Sequence, residues 1–226
     1  MRRFWREVVL ADGGVLLDGR PVRTPARAEL RLPTAALAEA VASEWREVGE
    51  QVDPGTMPLT GLANAAIDRV PPDPRRFADE LGKYAETDLL CYRADAPDAL
   101  IDRQRERWDP LLDWARARYG VEFTLVPGVM HRPQPPETVE RLVHAVRVRT
   151  PFELAALSPL VAIGGSLVAA LMVLEAAIEP GLAFDATHLD ELWQAELWGE
   201  DWMATDAREA RRTDFLSAAR FLALLR

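Results

Sequence analysis

The residues with the most chemical promise lie together near the C-terminal end, in DELWQAELWGEDW, residues 190–202. Projected on a helix at about 100° per residue, Leu189, Leu192, Trp193 and Leu197 form an apolar face that also carries Glu196 and Glu200. The opposite face carries Glu191, Trp198 and Trp202, with Asp201 at its edge, and Gly199 can break the helix and rotate the last residues. Two carboxylates thus stand where core residues belong, and two indoles where solvent belongs. Three arrangements meet that pattern. Arginines between Arg208 and Arg220, or on other helices, pair the acids while the indoles pack on a neighbouring helix. Alternatively the segment is a binding surface, with Trp as the side chain most often found at interaction hot spots and carboxylates selecting the partner by charge. In the third, Glu196 and Glu200 are the paired carboxylates of a small-molecule hydrolase, which requires a cleft and a raised pKa on one acid.

Elsewhere the chain offers little chemistry. There is no GxGxxG after a strand, no GxxxxGK[ST] phosphate loop and no GxSxG elbow. His131, His144 and His188 lack zinc-like spacing, and their expected places are the surface and helix ends. The single cysteine, Cys91, excludes an internal disulfide and a cysteine metal cage, and between Leu90 and Tyr92 it reads as a small core residue. Neither catalytic residues, nor a metal, nor a cofactor is expected.

Composition narrows the class. Lys+Arg 27 against Asp+Glu 36 gives a net charge of −9, and the pI is near 5.0. That balance argues against nucleic acid or an anionic membrane as the main partner. A hydrophobic share of 49% and a charged share of 28% suit a globular protein with a real core. The opening MRRFWREVVL lacks the apolar run of a secretory signal, so a cytoplasmic protein is expected.

The elements that must position the acidic segment can be read from periodicity and turn residues. Short apolar runs at Val8–Leu10, Val15–Leu17, Val22–Thr24 and Leu30–Leu32, broken by Asp12-Gly13-Gly14 and Asp18-Gly19, predict an antiparallel meander. Thr34 caps a helix to about Val48, whose Leu37, Val41 and Trp45 stripe should cover the meander, and a short helix spans roughly Leu62–Val70. Pro71-Pro72-Asp73-Pro74 marks the expected boundary between an N-terminal α/β domain, 1–72, and a helical domain, 73–226. Past it, helices are expected at Arg75–Glu86, Pro97–Tyr119 (bent or restarted at Pro110) and Glu137–Arg149, with an extended Asp88–Arg93. A strand at Val121–Val126 would return to the first domain. The uncharged stretch Leu154–Leu174 is long enough to span a bilayer core. Ser158 and Pro159 would start its helix, leaving a marginally short apolar span, and no aromatic belt flanks it. It reads as a buried central helix with Gly164, Gly165 and Ser166 as a packing groove. Thr187 with Asp190 would open the last helical segment. The fold class is α+β: a small antiparallel sheet with helices, then a mainly helical domain.

Several ordered stretches resemble one family: LLDGRPVRTP (16–25), LPTAALAEAVASEW (32–45), DPGTMPLTGLANAAID (53–68), YAETDLLCYR (84–93), WDPLLDW (108–114) and ELWQAELWGED (191–201). It is the assembly chaperone of the catalytic head of the F-type ATP synthase, and the resemblance runs from about residue 3 to the C-terminus. It implies a non-enzymatic molecular chaperone that binds the unassembled alpha subunit until it joins the beta subunit. It also implies a small α/β domain before a helical one, and the mitochondrial matrix as the compartment of eukaryotic relatives. The family's D-E…Q…WG-E-D pattern falls on Asp190, Glu191, Gln194, Trp198, Gly199, Glu200 and Asp201. Where further acids tend to come next in the family, Trp202 and Met203 stand here. The expected partner-binding set is therefore Asp190, Glu191, Gln194, Glu196, Trp198, Glu200, Asp201 and Trp202, on a monomer that takes a protein client, not nucleic acid, and does not insert in a membrane.

Overall fold

Two Asp-Gly pairs set the N-terminal sheet in the computed structural model, which describes residues 2–226. Asp12 and Gly13 have φ of 50° and 73°, and Asp18 and Gly19 have 48° and 77°, the left-handed values a type I′ hairpin turn demands of both central residues. The turns fold β1 (Val8–Ala11) onto β2 (Gly14–Leu17) and β2 onto β3 (Arg20–Pro21) as an antiparallel meander. Val9 stands opposite Leu16, and Leu16 opposite Pro21. The strands expected at Val22–Thr24 and Leu30–Leu32 shrink to isolated bridges between Arg23 and Glu29 and between Gly14 and Arg31. Prolines at 21, 25 and 33 lack the N–H a continuous ladder needs.

Helix α1 (Ala35–Glu47) begins as expected, with the Thr34 hydroxyl accepting from the Leu37 N–H at 3.2 Å. It lays Leu37, Val41 and Trp45 on β1 and β2, where the Trp5 ring lies 5.3 Å from that of Trp45. Helix α2 (Pro58–Asp68) starts a turn earlier than Leu62 because Pro58 suits a first helical position. Glu44 of α1 accepts from the free N–H groups of Leu59 and Thr60, both at 2.8 Å. By contact the chain divides into two compact units. One holds the chain through Pro74 with Thr150–Ala156 and Ser217–Arg226; the other holds Arg75–Arg149 and Leu157–Leu216. The first thus draws on two segments far along the sequence: Phe221 stacks on Phe152, and the Thr34 hydroxyl donates to the Leu224 carbonyl.

The second unit is built almost wholly of helices. After α3 (Pro74–Gly82), a short parallel pair forms from β4 (Tyr92–Arg93) and, beyond helix α4 (Asp98–Tyr119), β5 (Val126–Pro127). The strand expected over Val121–Val126 is therefore two residues long, and it pairs with β4, not with the N-terminal sheet. Helix α4 runs through Pro110 without restarting and ends at Gly120 with φ 65°. Helix α5 (Pro136–Arg147) comes next.

The uncharged stretch is two helices rather than one. Helix α6 (Pro151–Gly164) begins at Thr150, whose N–H and hydroxyl both bond the Glu153 carboxylate at 2.8 Å, so Pro159 lies inside the helix and Ser158 caps nothing. Gly165 then takes φ 63°, and Ser166 turns extended and accepts from the Ala169 N–H to start α7 (Leu167–Leu174). Among the described residues no helix is long and apolar enough to cross a membrane. The expected packing groove is present at Gly164, where an added Cβ would lie 3.3 Å from Thr187 and 3.6 Å from Phe215. All of α7 is buried. Its start is held by Asp88, fully buried, whose carboxylate accepts from the Val168 N–H at 2.9 Å and the Leu90 N–H at 3.1 Å. Burial pushes the Asp88 pKa up to about 6, with those same bonds pulling it down.

Candidate protein-binding surface

The last three helices are α8 (Pro180–Thr187), α9 (Leu189–Trp198) and α10 (Trp202–Ala223). The first of these is absent from the sequence reading, which placed a capping box at Thr187 and Asp190. Instead the Glu179 carboxylate accepts from the Leu182 N–H at 3.0 Å to start α8, and His188 ends it. The imidazole of His188 is buried flat against Phe184, ring centroids 3.8 Å apart, with Nδ1 3.0 Å from the Phe184 carbonyl. A carbonyl only accepts, so Nδ1 carries the proton. Burial holds this imidazole below its ordinary pKa.

Helix α4 fixes where α8 and α9 lie. The wholly buried Trp108 donates its indole N–H to the Ala186 carbonyl at 2.7 Å. Gln104, also buried, accepts from the Ala94 N–H and donates to the Asp190 carboxylate, both at 2.8 Å. Arg103 lies 4.6 Å over the Trp193 ring and reaches Glu196 at 2.6 Å. Only Leu189 of α9 is fully buried. The apolar face expected of this helix is accordingly wrong at Leu197, which is exposed, and Glu196 sits at the surface rather than in the core.

On its other side α9 is tied to α10. Glu191, expected to face solvent, is half-buried between Arg211 at 2.6 Å and Arg208 at 3.6 Å. Arg208 also reaches Glu200 at 3.5 Å. Between the helices Gly199 adopts φ 87°, ψ 162°, with nothing within 4 Å of a would-be Cβ. That backbone region is essentially closed to residues with a side chain. Asp201 caps α10 by accepting from the Met203 N–H at 2.8 Å.

The eight expected site residues therefore separate into two groups. Asp190, Glu191, Glu196, Glu200 and Asp201 each have a partner inside the fold. Gln194 is exposed, and Trp198 and Trp202 stand out from either side of the elbow, 78% and 73% exposed, beside Leu197 at 55% and Met203 at 59%. The paired acids of the first sequence arrangement and the free indoles of the second occur together. Glu196 borders a groove of about 550 Å³ with Arg103, Arg107, Leu189 and Leu192, but Glu200 does not line it, so the two carboxylates proposed for a hydrolase do not share that cleft. Among the described residues no group of three His, Cys, Asp or Glu side chains could hold a metal. Burial pushes the Cys91 thiol up to about 12, which keeps it an inert core residue. Sequence reasoning named the acids and indoles but not Gln104 or Arg103, and it gave Arg208 and Arg211 only as a range. A lone Gln carries no pattern, and a chain whose basic charge is nearly all arginine does not single one out.

Residues 2–116 match the family described as ATP12 chaperone protein. The chain belongs to the ATP12 chaperone family. These are the ATP synthase assembly chaperones that the sequence motifs resemble. The crystal structure of Atp12 from Paracoccus denitrificans superposes with a TM-score of 0.94 at 44% identity, covering 100% of this chain and 98% of that one. A structure from Agrobacterium tumefaciens gives 0.94 at 41% identity, covering 100% and 86%. The mitochondrial protein atp12 of Schizosaccharomyces pombe is 27% identical over 229 residues, spanning 94% of this chain and 78% of the yeast protein. The α+β architecture read from the sequence is that of the ATP12 structures.

Proposed function

We propose that this chain binds the unassembled alpha subunit of ATP synthase in the cytoplasm, as a monomer and without catalysis, and holds it until the beta subunit takes it over. The observation that carries the reading is the α9–α10 elbow. Four large apolar side chains there lack cover in a protein whose other indoles are largely packed or stacked. Large exposed apolar side chains grouped within a few residues are the raw material of an interaction site, and an unassembled subunit exposes an apolar interface that needs reversible cover. The acids around the elbow disfavour association with other acidic surfaces. Purified protein mixed with isolated alpha subunit should co-elute from a sizing column at one-to-one stoichiometry, and adding beta subunit should release it. Separate elution of the two proteins at micromolar concentration overturns the proposal.

A further inference from the structure

The elbow shows its indoles to solvent, each of its acids has a partner within the fold although Glu196, Glu200 and Asp201 remain exposed, and one buried cation joins two of them. Arg208 is only 6% exposed, on the second turn of α10. Its guanidinium meets a carboxylate of α9, Glu191, and a carboxylate of the connector, Glu200. It therefore touches all three parts of the elbow: the helix bearing Trp198, the connector and the helix bearing Trp202. Arg211, by contrast, pairs with Glu191, and Gly199 offers no side chain.

We propose that Arg208 is a positioning residue of the client surface, which locks the elbow so that Trp198 and Trp202 meet an apolar client patch together. The inference rests on the client-binding reading above and adds the chemistry of the contact. The client is recognised by apolar burial against two pre-set indoles, and the motif acids Glu191 and Glu200 hold the elbow instead of touching the client. A buried guanidinium is costly to leave unpaired, so Arg208 favours the elbow geometry that keeps the half-buried Glu191 and the more exposed Glu200 within its reach. Fixing two large side chains in advance lowers the ordering cost that binding would otherwise incur.

The test is titration calorimetry of isolated alpha subunit into five full-length proteins: wild type, Arg208→Met, Arg208→Lys, Trp198→Ala/Trp202→Ala, and that pair combined with Arg208→Met. Methionine keeps the apolar stem without the charge. Arg208→Met should weaken binding about tenfold, the size usual for residues sharing one network, and Arg208→Lys should recover part of it. Added to the indole-free background, Arg208→Met should change affinity less than about twofold, because it acts through the indoles. A wild-type affinity for Arg208→Met, or an undiminished tenfold loss without the indoles, overturns the proposal. If the indole pair variant itself binds like wild type, the client-surface reading fails first and is distinguished by that result. Should Arg208→Met not fold, Glu200→Gln cuts the exposed arm alone and should still weaken binding about threefold; unchanged affinity there also overturns the proposal.

Discussion

Truncating Trp198 and Trp202 to alanine separates a client contact from a packing role by magnitude. An indole presents up to about 250 Å², and roughly three quarters of each of these two remains in solvent. Folding therefore removes about 60 Å² per residue from water, worth at most about 1.5 kcal/mol at roughly 25 cal/mol per Å². Alanine's better helix propensity offsets part of that. The fully buried Trp108, which also donates to the Ala186 carbonyl, is the internal control, and its truncation should cost about 3–5 kcal/mol. Binding should show the reverse order. A Trp at the centre of an interface costs about 2 kcal/mol or more when truncated, roughly thirtyfold in affinity. Urea unfolding followed by circular dichroism, beside calorimetric titration with isolated alpha subunit, measures both quantities on the same preparations. A loss of folding stability above about 3 kcal/mol for either Trp198→Ala or Trp202→Ala, with affinity unchanged, would refute the reasoning.

Two further outcomes test the scaffold. Asp88 titrates at about 6 in the fold against 3.8 as its ordinary value, so its contribution to stability is complete below pH 3.8 and is lost as pH rises through 6. That loss is roughly 3 kcal/mol, read as the difference in unfolding free energy between wild type and Asp88→Asn from about pH 4 to about pH 8; a difference independent of pH contradicts it. Gly164→Val forces a branched side chain against Thr187 and Phe215 and should cost about 2 kcal/mol of thermal stability, whereas an unchanged melting temperature would show that α6 moves aside freely.

Local chemistry made the first half of the fold legible. The Asp12-Gly13 and Asp18-Gly19 turns and the Thr34 cap act through neighbouring backbone, and each stands where the sequence put it. The apolar stretch was harder because uniform hydrophobicity hides a break. The Gly165 conformation and the Ser166 cap both look like helix interior until the Val168 N–H is seen bonded to Asp88, distant in sequence. Helix α8 was missed for a related reason: its cap is Glu179, a residue type the capping rule does not favour. In the site, the indoles could be read because an exposed Trp contradicts an apolar pattern. The acids' partners could not, since Gln104, Arg103 and Arg208 reach them from other helices or distant turns.

Amide hydrogen exchange of the chaperone, free and bound to isolated alpha subunit, tests the central claim most directly. Protection should concentrate in residues 194–205, around the elbow. Protection elsewhere, with the elbow exchanging as fast in the complex as in the free protein, would contradict the account.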